Sequence, residues 1–498
     1  MTQKPNNALK RMFLCGLVIA LASSILLNGA SDAGSLPFQS PPPTPPYAIF
    51  LPIIRVPGYT YLPLITKEEF VRPNFVIILS DDQRYDTLDF MPLTQARIFD
   101  RGITFTNAHV TTSLCCPSRS SILTGMYAHH HGVYYNDWPL DKTTFVQRLH
   151  DAGYLTGNIG KYLNSWDGSY RAEFDQWVVF AGPGASQYYF NRRLNVNGEW
   201  IQSEGYVTWV LRDYALRFLD DARQRQQPFL LIFAPNAPHQ PGTPAPGDED
   251  LYPDLLPHRP VNYYEGDLSD KPLYIQNRFL PNPTDIDNLR RKQLQSLHAL
   301  DIAVAHILDR LAVNGQDRNT VIMYLSDNGL FWGEHRLDGK LYGYTEGTHV
   351  PFAIRYDRLI AQPIIEPRLV ANIDIAPTIY ELAGLPIPPE VDGRSLIPLM
   401  RRQAIDWRTW LIIEGWAYYP YAGIRTDRFL YIETDGDTDE LYDRLTDPYE
   451  MQSQINNPAY ASAIADLHNL LVTARPAGQH PARWHILTLI RQALQLDD

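Results

Sequence analysis

The sequence predicts an α/β fold: a large, mainly parallel sheet sandwiched by helices, with a smaller C-terminal α+β subdomain that carries a short antiparallel sheet. Two observations lead to this prediction. Continuous apolar runs of strand length alternate with helical patterns through most of the chain, and short strand patterns separated by turns fill its last part. Because a central parallel strand is buried on both faces, it is expected to form an unbroken apolar run.

The composition and net charge limit the classes of protein to which the chain can belong. The chain has 498 residues, of which 45% are hydrophobic and 20% charged, as in an ordinary globular protein with one large domain or two unequal ones. The formal net charge of −12 argues against a general nucleic-acid binder, because phosphate contacts require clustered Lys and Arg side chains. No nucleic-acid partner is therefore expected.

Residues 1–30 are predicted to be a signal peptide or an N-terminal anchor. Lys10 and Arg11 precede the apolar run MFLCGLVIALASSILL, and small and polar residues follow it. The run is short for a membrane-spanning helix, and Cys15 lacks the small-residue motif of a lipoprotein. We expect a secreted, periplasmic or cell-surface protein that contacts a membrane only if the anchor stays uncleaved.

Residues 31–71 are dense in proline, which favours an extended linker or stalk over a packed element. The main domain is predicted over residues 72–385 and the C-terminal subdomain over residues 386–498. Once a signal is removed, only Cys115 and Cys116 remain of the three cysteines, so no disulfide framework is expected.

The predicted strands of the main sheet share an unbroken apolar character. They are residues 74–80, 154–160, 228–234, 320–326 and 351–355. The clearest helix is predicted over residues 294–313, where leucine and valine recur at helical spacing until Asn314-Gly315 ends the pattern. In the C-terminal part, GIRTD, RFLYIE and DELYD predict short antiparallel strands, and residues 464–472 form an amphipathic segment.

Chemically capable residues directly follow four of these strands. They are the stretches SDDQ, GKY, PNAPH and SDNG, which carry Asp81 and Asp82, Lys161, His239, and Asp327 and Asn328. Ligands of such sheets collect beyond the carboxyl ends of the strands. The four acidic and amide side chains offer only oxygen, which favours Ca²⁺ or Mg²⁺ over zinc. Taken singly, the same residues are also ordinary turn and capping residues.

The stretch SLCCPSRSSILTG, residues 113–125, places two cysteines before a predicted helix. Pro117 suits the first turn of a helix, and Cys115 is expected just ahead of it. Backbone N–H groups at a helix N-terminus favour an anionic substrate or a developing oxyanion. The alternatives are a vicinal disulfide, a redox thiol or buried structural cysteines. The redox interpretation is weak, because a vicinal disulfide is strained and the pair lacks the two-residue spacing of redox motifs.

Cys115-Cys116-Pro117-Ser118-Arg119, followed by Leu123-Thr124-Gly125, resembles the Cys-x-Pro-Ser-Arg…Leu-Thr-Gly signature of the type I sulfatases of the alkaline phosphatase superfamily. That signature directs a formylglycine-generating enzyme to oxidise its first cysteine. Further counterparts occur in the same order, between Pro73 and Glu450. They are SDDQ, GKY, APNAPH, SDNG, a GK followed by YxEGxxVP, DIAPTIYELAGLPIPP and ELYDRLTDPYE. GKYLNSWDGSY and CCPSR are most similar to the N-acetylglucosamine-6-sulfatase and heparan endosulfatase branch.

The resemblance implies an alkaline phosphatase-like fold, with the sulfatase catalytic domain at 72–385. It implies five catalytic residues: Cys115, Arg119, Lys161, His239 and Lys340. It implies five metal ligands, with Ca²⁺ preferred over Mg²⁺: Asp81, Asp82, Cys115 as formylglycine, Asp327 and Asn328. His129, His131 and Asn164 are expected at the substrate rim. The implied partners are the formylglycine-generating enzyme and a sulfate ester, most specifically a 6-O-sulfated amino sugar or a sulfated polysaccharide.

The implied chemistry has a physical rationale. The hydrate of an aldehyde has two hydroxyls, so one attacks sulfur and the other later expels sulfate as the aldehyde returns. A serine or cysteine lacks the second hydroxyl, and its sulfated form would be trapped. Lysine and arginine stabilise charge on the sulfuryl oxygens, and His239 serves as general acid for the departing alkoxide.

Two positions depart from the family pattern. Leu163 stands where many sulfatases have a histidine, as it does in the glucosamine-6-sulfatase branch, and His349 stands where an arginine usually precedes VP. Two other functions remain open at this stage. One is a phosphonate monoester or phosphodiester hydrolase of the same superfamily, and the other is a non-catalytic surface binding protein presented on the proline-rich stalk.

Overall fold

The computed structural model describes residues 71–475 except 165, 168, 181–184 and 418, together with two short strands nearer the N-terminus. Those strands, Arg55–Val56 and Tyr59–Thr60, pair antiparallel with each other and belong to the first of two units, residues 1–69. The predicted signal or anchor and most of the predicted linker lie outside the described residues. Within the described part of the chain, no helix combines the length and apolarity needed to cross a membrane.

The second unit, residues 70–498, is built around a ten-stranded sheet. Its strands lie in the order Ile364–Glu366, Ile103–Phe105, Phe352–Arg355, Thr320–Ser326, Asn74–Ser80, Phe229–Ala234, Leu155–Gly160, Gln176–Val179, Arg193–Val196 and Glu199–Gln202.

The centre of this sheet is parallel and its margins are mixed. Five neighbouring strands, from Thr320–Ser326 to Gln176–Val179, run parallel. The predicted strand at 351–355 forms as Phe352–Arg355, but it runs antiparallel to its neighbours. The prediction of a large, mainly parallel sheet is confirmed. Its short outer strands were not predicted, because their sequences lack long apolar runs.

Helices cover both faces of the sheet, as the buried strands require. Along Asn74–Ser80, Phe75, Ile77 and Leu79 enter one hydrophobic core, while Val76 and Ile78 enter a second core on the opposite face. The α-helices of the described chain are Pro92–Arg97, Cys115–Thr124, Ala128–His131, Phe145–Asp151, Val207–Arg225, Leu273–Gln276, Pro283–Val313, Thr345–Thr348, Ile375–Leu382, Ile397–Met400 and Ala461–Ala474.

The predicted helix over residues 294–313 ends as expected but begins earlier. It spans Pro283–Val313, and the side chain of Asn282 accepts a hydrogen bond from Thr284 N at its start. Proline in the first turn costs no hydrogen bond, because that N–H has no intrahelical partner. Most of residues 283–293 are polar and only two of them are buried, so the apolar pattern by itself could not place the start.

The C-terminal part contains the expected antiparallel sheet. Its four strands are Trp410–Gly415, Tyr421–Thr426, Phe429–Thr434 and Glu440–Asp443. The last three correspond to the three predicted strands, and the first was not predicted. Leu467 and Leu471 of helix Ala461–Ala474 pack into the same small core as Ile412 and Ile424, so the amphipathic segment covers this sheet.

Candidate active site

The carboxyl ends of neighbouring parallel strands bring the predicted acidic residues and Lys161 together. Asp81 and Asp327 directly follow two adjacent strands, and Lys161 Nζ lies 2.7 Å from Asp81 Oδ2 and 3.8 Å from Asp327 Oδ2. Asp82 N donates to Asp327 Oδ1 at 3.1 Å, and Asp82 adopts a positive φ of 65°. Aspartate tolerates this left-handed conformation better than most residues, so the turn leaves both carboxylates in the site.

Cys115 enters this cluster from the helix Cys115–Thr124. It is the first helical residue rather than the residue just ahead of the helix, and every residue of the helix is buried. Cys115 Sγ lies 3.8 Å from Asp81 Oδ1 and 4.0 Å from Asp82 Oδ1. The helix ends at Gly125, whose φ of 75° is typical of a left-handed C-terminal cap. The N-terminal end of a fully buried helix therefore points at the carboxylates.

Three cations balance these carboxylates: Lys161, described above, Lys340 and Arg119. Lys340 Nζ lies 2.8 Å from Cys115 Sγ and also donates to Asp82 Oδ1. Arg119 Nε donates to Asp327 Oδ2 at 2.7 Å, and Arg119 Nη1 donates to the carbonyl of Lys161 at 3.1 Å. Arg119 Nη2 is buried and has no hydrogen-bond partner among the described residues. The arginine therefore retains one donor that the protein itself does not use.

The ion pairs stabilise charge in the interior. Burial raises the pKa of Asp81, but the positive charges of Lys161, His239 and Arg119 outweigh it and lower that pKa to about 2. The pKa of Asp82 is also lowered, since Lys340 and His239 overcome the effect of burial. By contrast, burial raises the pKa of the Cys115 thiol to about 12. An unmodified Cys115 would therefore be a neutral thiol and a poor nucleophile.

His239 lies on the other side of Asp82, with its Nε2 3.6 Å from Asp82 Oδ2. Its Nδ1 lies 2.7 Å from the carbonyl oxygen of Gln240, which accepts the Nδ1 proton and leaves Nε2 facing the site. The hydroxyl of Tyr189 donates to the backbone carbonyl of His239. Sequence reasoning missed Tyr189, because no motif connects it to the loop that it supports.

The donor set fits a hard divalent cation. Ligand atoms of Asp81, Asp82 and Cys115 all lie within 4.8 Å of one another. Asn328 Nδ2 donates to Asp82 Oδ1 at 2.7 Å, while its buried Oδ1 has no partner among the described residues. Rotation of the amide would present that oxygen to an ion instead. Carboxylate and amide oxygens are the donors preferred by Ca²⁺ and Mg²⁺.

The three residues predicted at the substrate rim lie in different surroundings. His129 Nδ1 lies 2.9 Å from Glu414 Oε1, and His131 Nε2 lies 3.1 Å from Ser121 Oγ. Both histidines are buried, and neither of these partners belongs to the Cys115 cluster. Asn164 N donates to Cys116 Sγ at 2.8 Å. The rim assignment of these three residues stays a prediction.

His349, which departs from the family pattern, is stacked between aromatic rings. Its ring centroid lies 4.1 Å from that of Tyr85 and 5.0 Å from that of His109. Burial, together with the charges of Arg425 and Arg444, lowers the pKa of His349 to about 3. The histidine is therefore neutral at physiological pH and does not replace the charge of an arginine.

An α/β sheet whose carboxyl edge holds carboxylates, lysines and a cysteine at a helix N-terminus defines the alkaline phosphatase-like class of hydrolase folds. The chain belongs to the sulfatase family within that class, since the family model described as Sulfatase matches residues 73–385. A second model, described as N-sulphoglucosamine sulphohydrolase, C-terminal, matches residues 333–477.

Similar proteins include sulfatases from animals and bacteria. Human N-acetylglucosamine-6-sulfatase is 33% identical over 379 residues, covering 69% of this chain and 67% of that protein. An N-acetylglucosamine-6-O-sulfatase of Bacteroides thetaiotaomicron is 27% identical, and the alignment covers 81% of this chain and 86% of that protein. The extracellular sulfatase SULF-1 homolog of Drosophila melanogaster is 34% identical over 69% of this chain, which spans only 33% of the fly protein.

A solved structure of a protein in complex with its substrate D-glucosamine-2-N,6-O-disulfate has the same fold. Its TM-score is 0.73 at 26% identity, with 81% of this chain and 98% of the other covered. The predictions of the family and of the fold class are thus both confirmed.

Proposed function

We propose that this protein is an exported sulfatase that hydrolyses 6-O-sulfate esters of amino sugars or of sulfated polysaccharides. One observation carries the proposal: the Cys115 side chain lies between two aspartates, at 3.8 and 4.0 Å, and a lysine ammonium at 2.8 Å. A neutral structural thiol is not stabilised by charged groups on both sides. A reactive group that is activated by a cation and attacks an anion requires such charged neighbours.

The substrate class is supported by the relatives. Proteins named for 6-sulfated N-acetylglucosamine match over most of the second unit, and a neighbouring structure contains a glucosamine 6-O-sulfate. Export is supported by the apolar N-terminal segment and by relatives named extracellular sulfatases.

Asp81, Asp82, Asp327 and Asn328 would hold the divalent cation, with Ca²⁺ preferred, and residue 115 would complete the set. When formed and hydrated, formylglycine at position 115 supplies a nucleophilic oxygen for attack on sulfur. Its formation requires a formylglycine-generating enzyme as a partner.

The remaining side chains bind and orient the sulfate group. Lys340 contacts the side chain at position 115, and Lys161 pairs with the adjacent Asp81. Both lysines would provide positive charge for the sulfuryl oxygens as charge builds up on them in the transition state. The unused Nη2 of Arg119 provides a further donor in the same place. Because all three side chains are held by carboxylates or backbone carbonyls, they are oriented before the substrate binds.

His239 would donate a proton to the departing sugar oxygen. Its Nδ1 proton is committed to the carbonyl of Gln240, so the proton for transfer resides on Nε2. Alkoxides are poor leaving groups. Protonation of the sugar oxygen as the S–O bond breaks lets it leave as a neutral alcohol and so lowers the activation barrier.

The test uses the full chain produced together with a formylglycine-generating enzyme. Mass spectrometry of the tryptic peptide that contains residue 115 measures the conversion of cysteine to formylglycine. Hydrolysis of N-acetylglucosamine-6-sulfate is then compared with hydrolysis of an aryl sulfate and an aryl phosphonate monoester. We expect sulfate release from the sugar in the wild type and none from Cys115→Ala. Undiminished sulfate release by Cys115→Ala, or preference for the phosphonate ester, would overturn the proposal.

A further inference from the structure

A second cluster of potential ligand atoms lies apart from the Cys115 site. A ring nitrogen of His335 and carboxylate oxygens of Glu346 and Glu450 all lie within 4.8 Å of one another. Their exposed fractions are 0%, 9% and 1%, so the cluster is enclosed by protein. The residues come from a turn, from the helix Thr345–Thr348 and from the segment after the strand Glu440–Asp443. The cluster therefore joins the catalytic domain to the C-terminal sheet.

The His335 ring is held in one orientation by a carboxylate. Nδ1 lies 2.7 Å from Glu265 Oε2, and Glu265 is itself 3.3 Å from the ammonium of Lys271. A carboxylate on Nδ1 fixes a proton there and leaves Nε2, which lies 3.2 Å from the Asn262 amide, as the ring atom that can bind a metal ion. Histidine ligands of metal ions are commonly held by a carboxylate in this way.

Glu346 differs from the buried carboxylates around it. Glu334 is paired with Arg84, Glu265 with Lys271, and Glu450 with Arg425. Within the described residues, Glu346 forms no ion pair, and its only side-chain hydrogen bond comes from Asn262 Nδ2 at 2.9 Å. Its Oε2 is buried without a partner. A buried carboxylate in this state lacks the compensation that its charge requires.

Asn262, which is fully buried, carries the second unpartnered atom. Its Nδ2 lies 3.2 Å from His335 Nε2 and 2.9 Å from Glu346 Oε1, while its Oδ1 has no partner among the described residues. If the amide rotates, Oδ1 faces the lone pair of Nε2 and a carboxylate oxygen. Three acceptors that face one point are satisfied together by a metal ion, or by a proton that one of them holds and donates to another.

We propose that His335, Glu346, Glu450 and Asn262 bind a divalent transition-metal ion. The set mixes one imidazole nitrogen with carboxylate and amide oxygens, which suits Zn²⁺ better than Ca²⁺. The ion has a structural role and takes no part in ester hydrolysis. It neutralises Glu346 and fixes the YxEGxxVP segment, whose glutamate is this residue, against the C-terminal sheet.

A proton is the competing way to neutralise Glu346. Burial raises the pKa of that carboxyl, which favours its protonated form. Burial lowers the pKa of His335, but its hydrogen bond to Glu265 and the charge of Glu346 raise it, so a proton on Nε2 is a second competitor. After rotation of the amide, the Oδ1 of Asn262 accepts either proton, whereas a metal ion binds Oδ1 and the carboxylate together. The two states differ in metal content, which can be measured directly.

The experiment measures bound metal in the full-length protein by inductively coupled plasma mass spectrometry after exposure to Zn²⁺ and exhaustive dialysis. We expect one Zn²⁺ per chain in the wild type. Glu346→Gln and His335→Gln should each weaken Zn²⁺ binding by at least about tenfold. Glu440→Gln is the matched control, since Glu440 is a buried carboxylate held by Tyr344 and Tyr442 outside the ligand set. Asp81→Asn tests the other site, and it should leave Zn²⁺ content unchanged.

If a variant does not fold, as judged by circular dichroism, the wild type still decides the question. Co²⁺ substituted for Zn²⁺ should give the visible absorption bands of a nitrogen- and oxygen-ligated ion, and anomalous scattering should place the ion beside His335 Nε2. A wild-type protein that retains no Zn²⁺, or ligand variants that retain all of it, would overturn the proposal in favour of the proton.

Discussion

The ammonium of Lys340 contacts both the side chain of Cys115, at 2.8 Å from Sγ, and the carboxylate of Asp82. Burial lowers the pKa of Lys340, but the surrounding negative charges of Asp82, Asp81 and Asp327 raise it well above the usual value. The lysine is therefore a fixed positive charge that links the proposed nucleophile position to the proposed cation site.

Replacement of this charge should reduce the rate of catalysis while the fold persists. Lys340→Met keeps the apolar stem and removes the ammonium, and we expect kcat to fall by about 10²–10³-fold, as for the loss of one preorganised donor. Steady-state kinetics on N-acetylglucosamine-6-sulfate checks this expectation. Lys142→Met, at an exposed lysine, is the matched control. A Lys340→Met protein with the wild-type kcat would contradict the role.

The role of His239 can be tested through the leaving group. We expect His239→Gln to lower kcat/KM by about 10²–10⁴-fold on a sugar sulfate, whose alkoxide needs a proton to depart. The loss on an aryl sulfate should be much smaller, because a phenolate leaves without full protonation. The ratio of the two losses is the measurement. Equal losses on both substrates would instead mean that His239 positions the substrate or supports the cation site.

Cys116 should be dispensable for the chemistry but not for packing. Its Sγ lies 3.2 Å from the carbonyl of Asn136 and accepts a hydrogen bond from Asn164 N, and it is fully buried. We expect Cys116→Ala to retain substantial activity and to lose about 1–2 kcal/mol of unfolding free energy. Urea unfolding followed by activity measurement separates the two effects. Complete loss of activity in a folded Cys116→Ala protein would show that this side chain helps to shape the active site.

Removal of the proposed active-site cation should abolish turnover. Incubation with a calcium chelator followed by gel filtration is expected to reduce kcat by at least about 10²-fold, since Lewis-acid activation contributes several kcal/mol. Added Ca²⁺ should restore more activity than Mg²⁺, because flexible oxygen ligands suit the larger ion. Full activity in protein shown by elemental analysis to be free of metal would exclude a catalytic cation.

The sequence predicted the central sheet and the residues at its carboxyl edge because both follow from local patterns. The runs at 74–80 and 320–326 have the strand bounds found in the structure, since complete burial imposes an unbroken apolar sequence. Once these strands are adjacent, Asp81 and Asp327 must lie together. Short outer strands such as Ile103–Phe105 have no such pattern, because their pairing is decided by distant parts of the chain.

The difference between local sequence patterns and long-range contacts also explains which polar groups were not predicted. His335, Glu346 and Asn262 come from separate segments, and no spacing along the chain indicates that they meet. The contacts of His129 and His131 likewise come from elsewhere in the chain: His129 contacts Glu414, and His131 contacts Ser121 on the preceding helix. Long-range polar networks are determined by tertiary packing, which a single sequence does not specify.

The environment of His131 predicts a pH-dependent stability. Val133 N donates to its Nδ1 at 3.1 Å, so Nδ1 must carry a lone pair, and burial lowers the pKa of the ring to about 3. An unfolded histidine has a pKa of about 6.5. Between these values the unfolded chain binds a proton that the folded protein excludes, so the free energy of unfolding falls as the pH falls below about 6.5.

His131→Asn removes this titration, and its short amide can still accept from Val133 N. Between pH 7.5 and 5.5, the wild type should lose about 1.4 kcal/mol more unfolding free energy than the variant. Urea unfolding of both proteins at several pH values gives this difference, provided that their m-values agree. The quantity compared is the change of unfolding free energy with pH in each protein, which does not depend on a difference in their absolute stabilities. Parallel pH profiles for the two proteins would mean that His131 accepts a proton in the folded state.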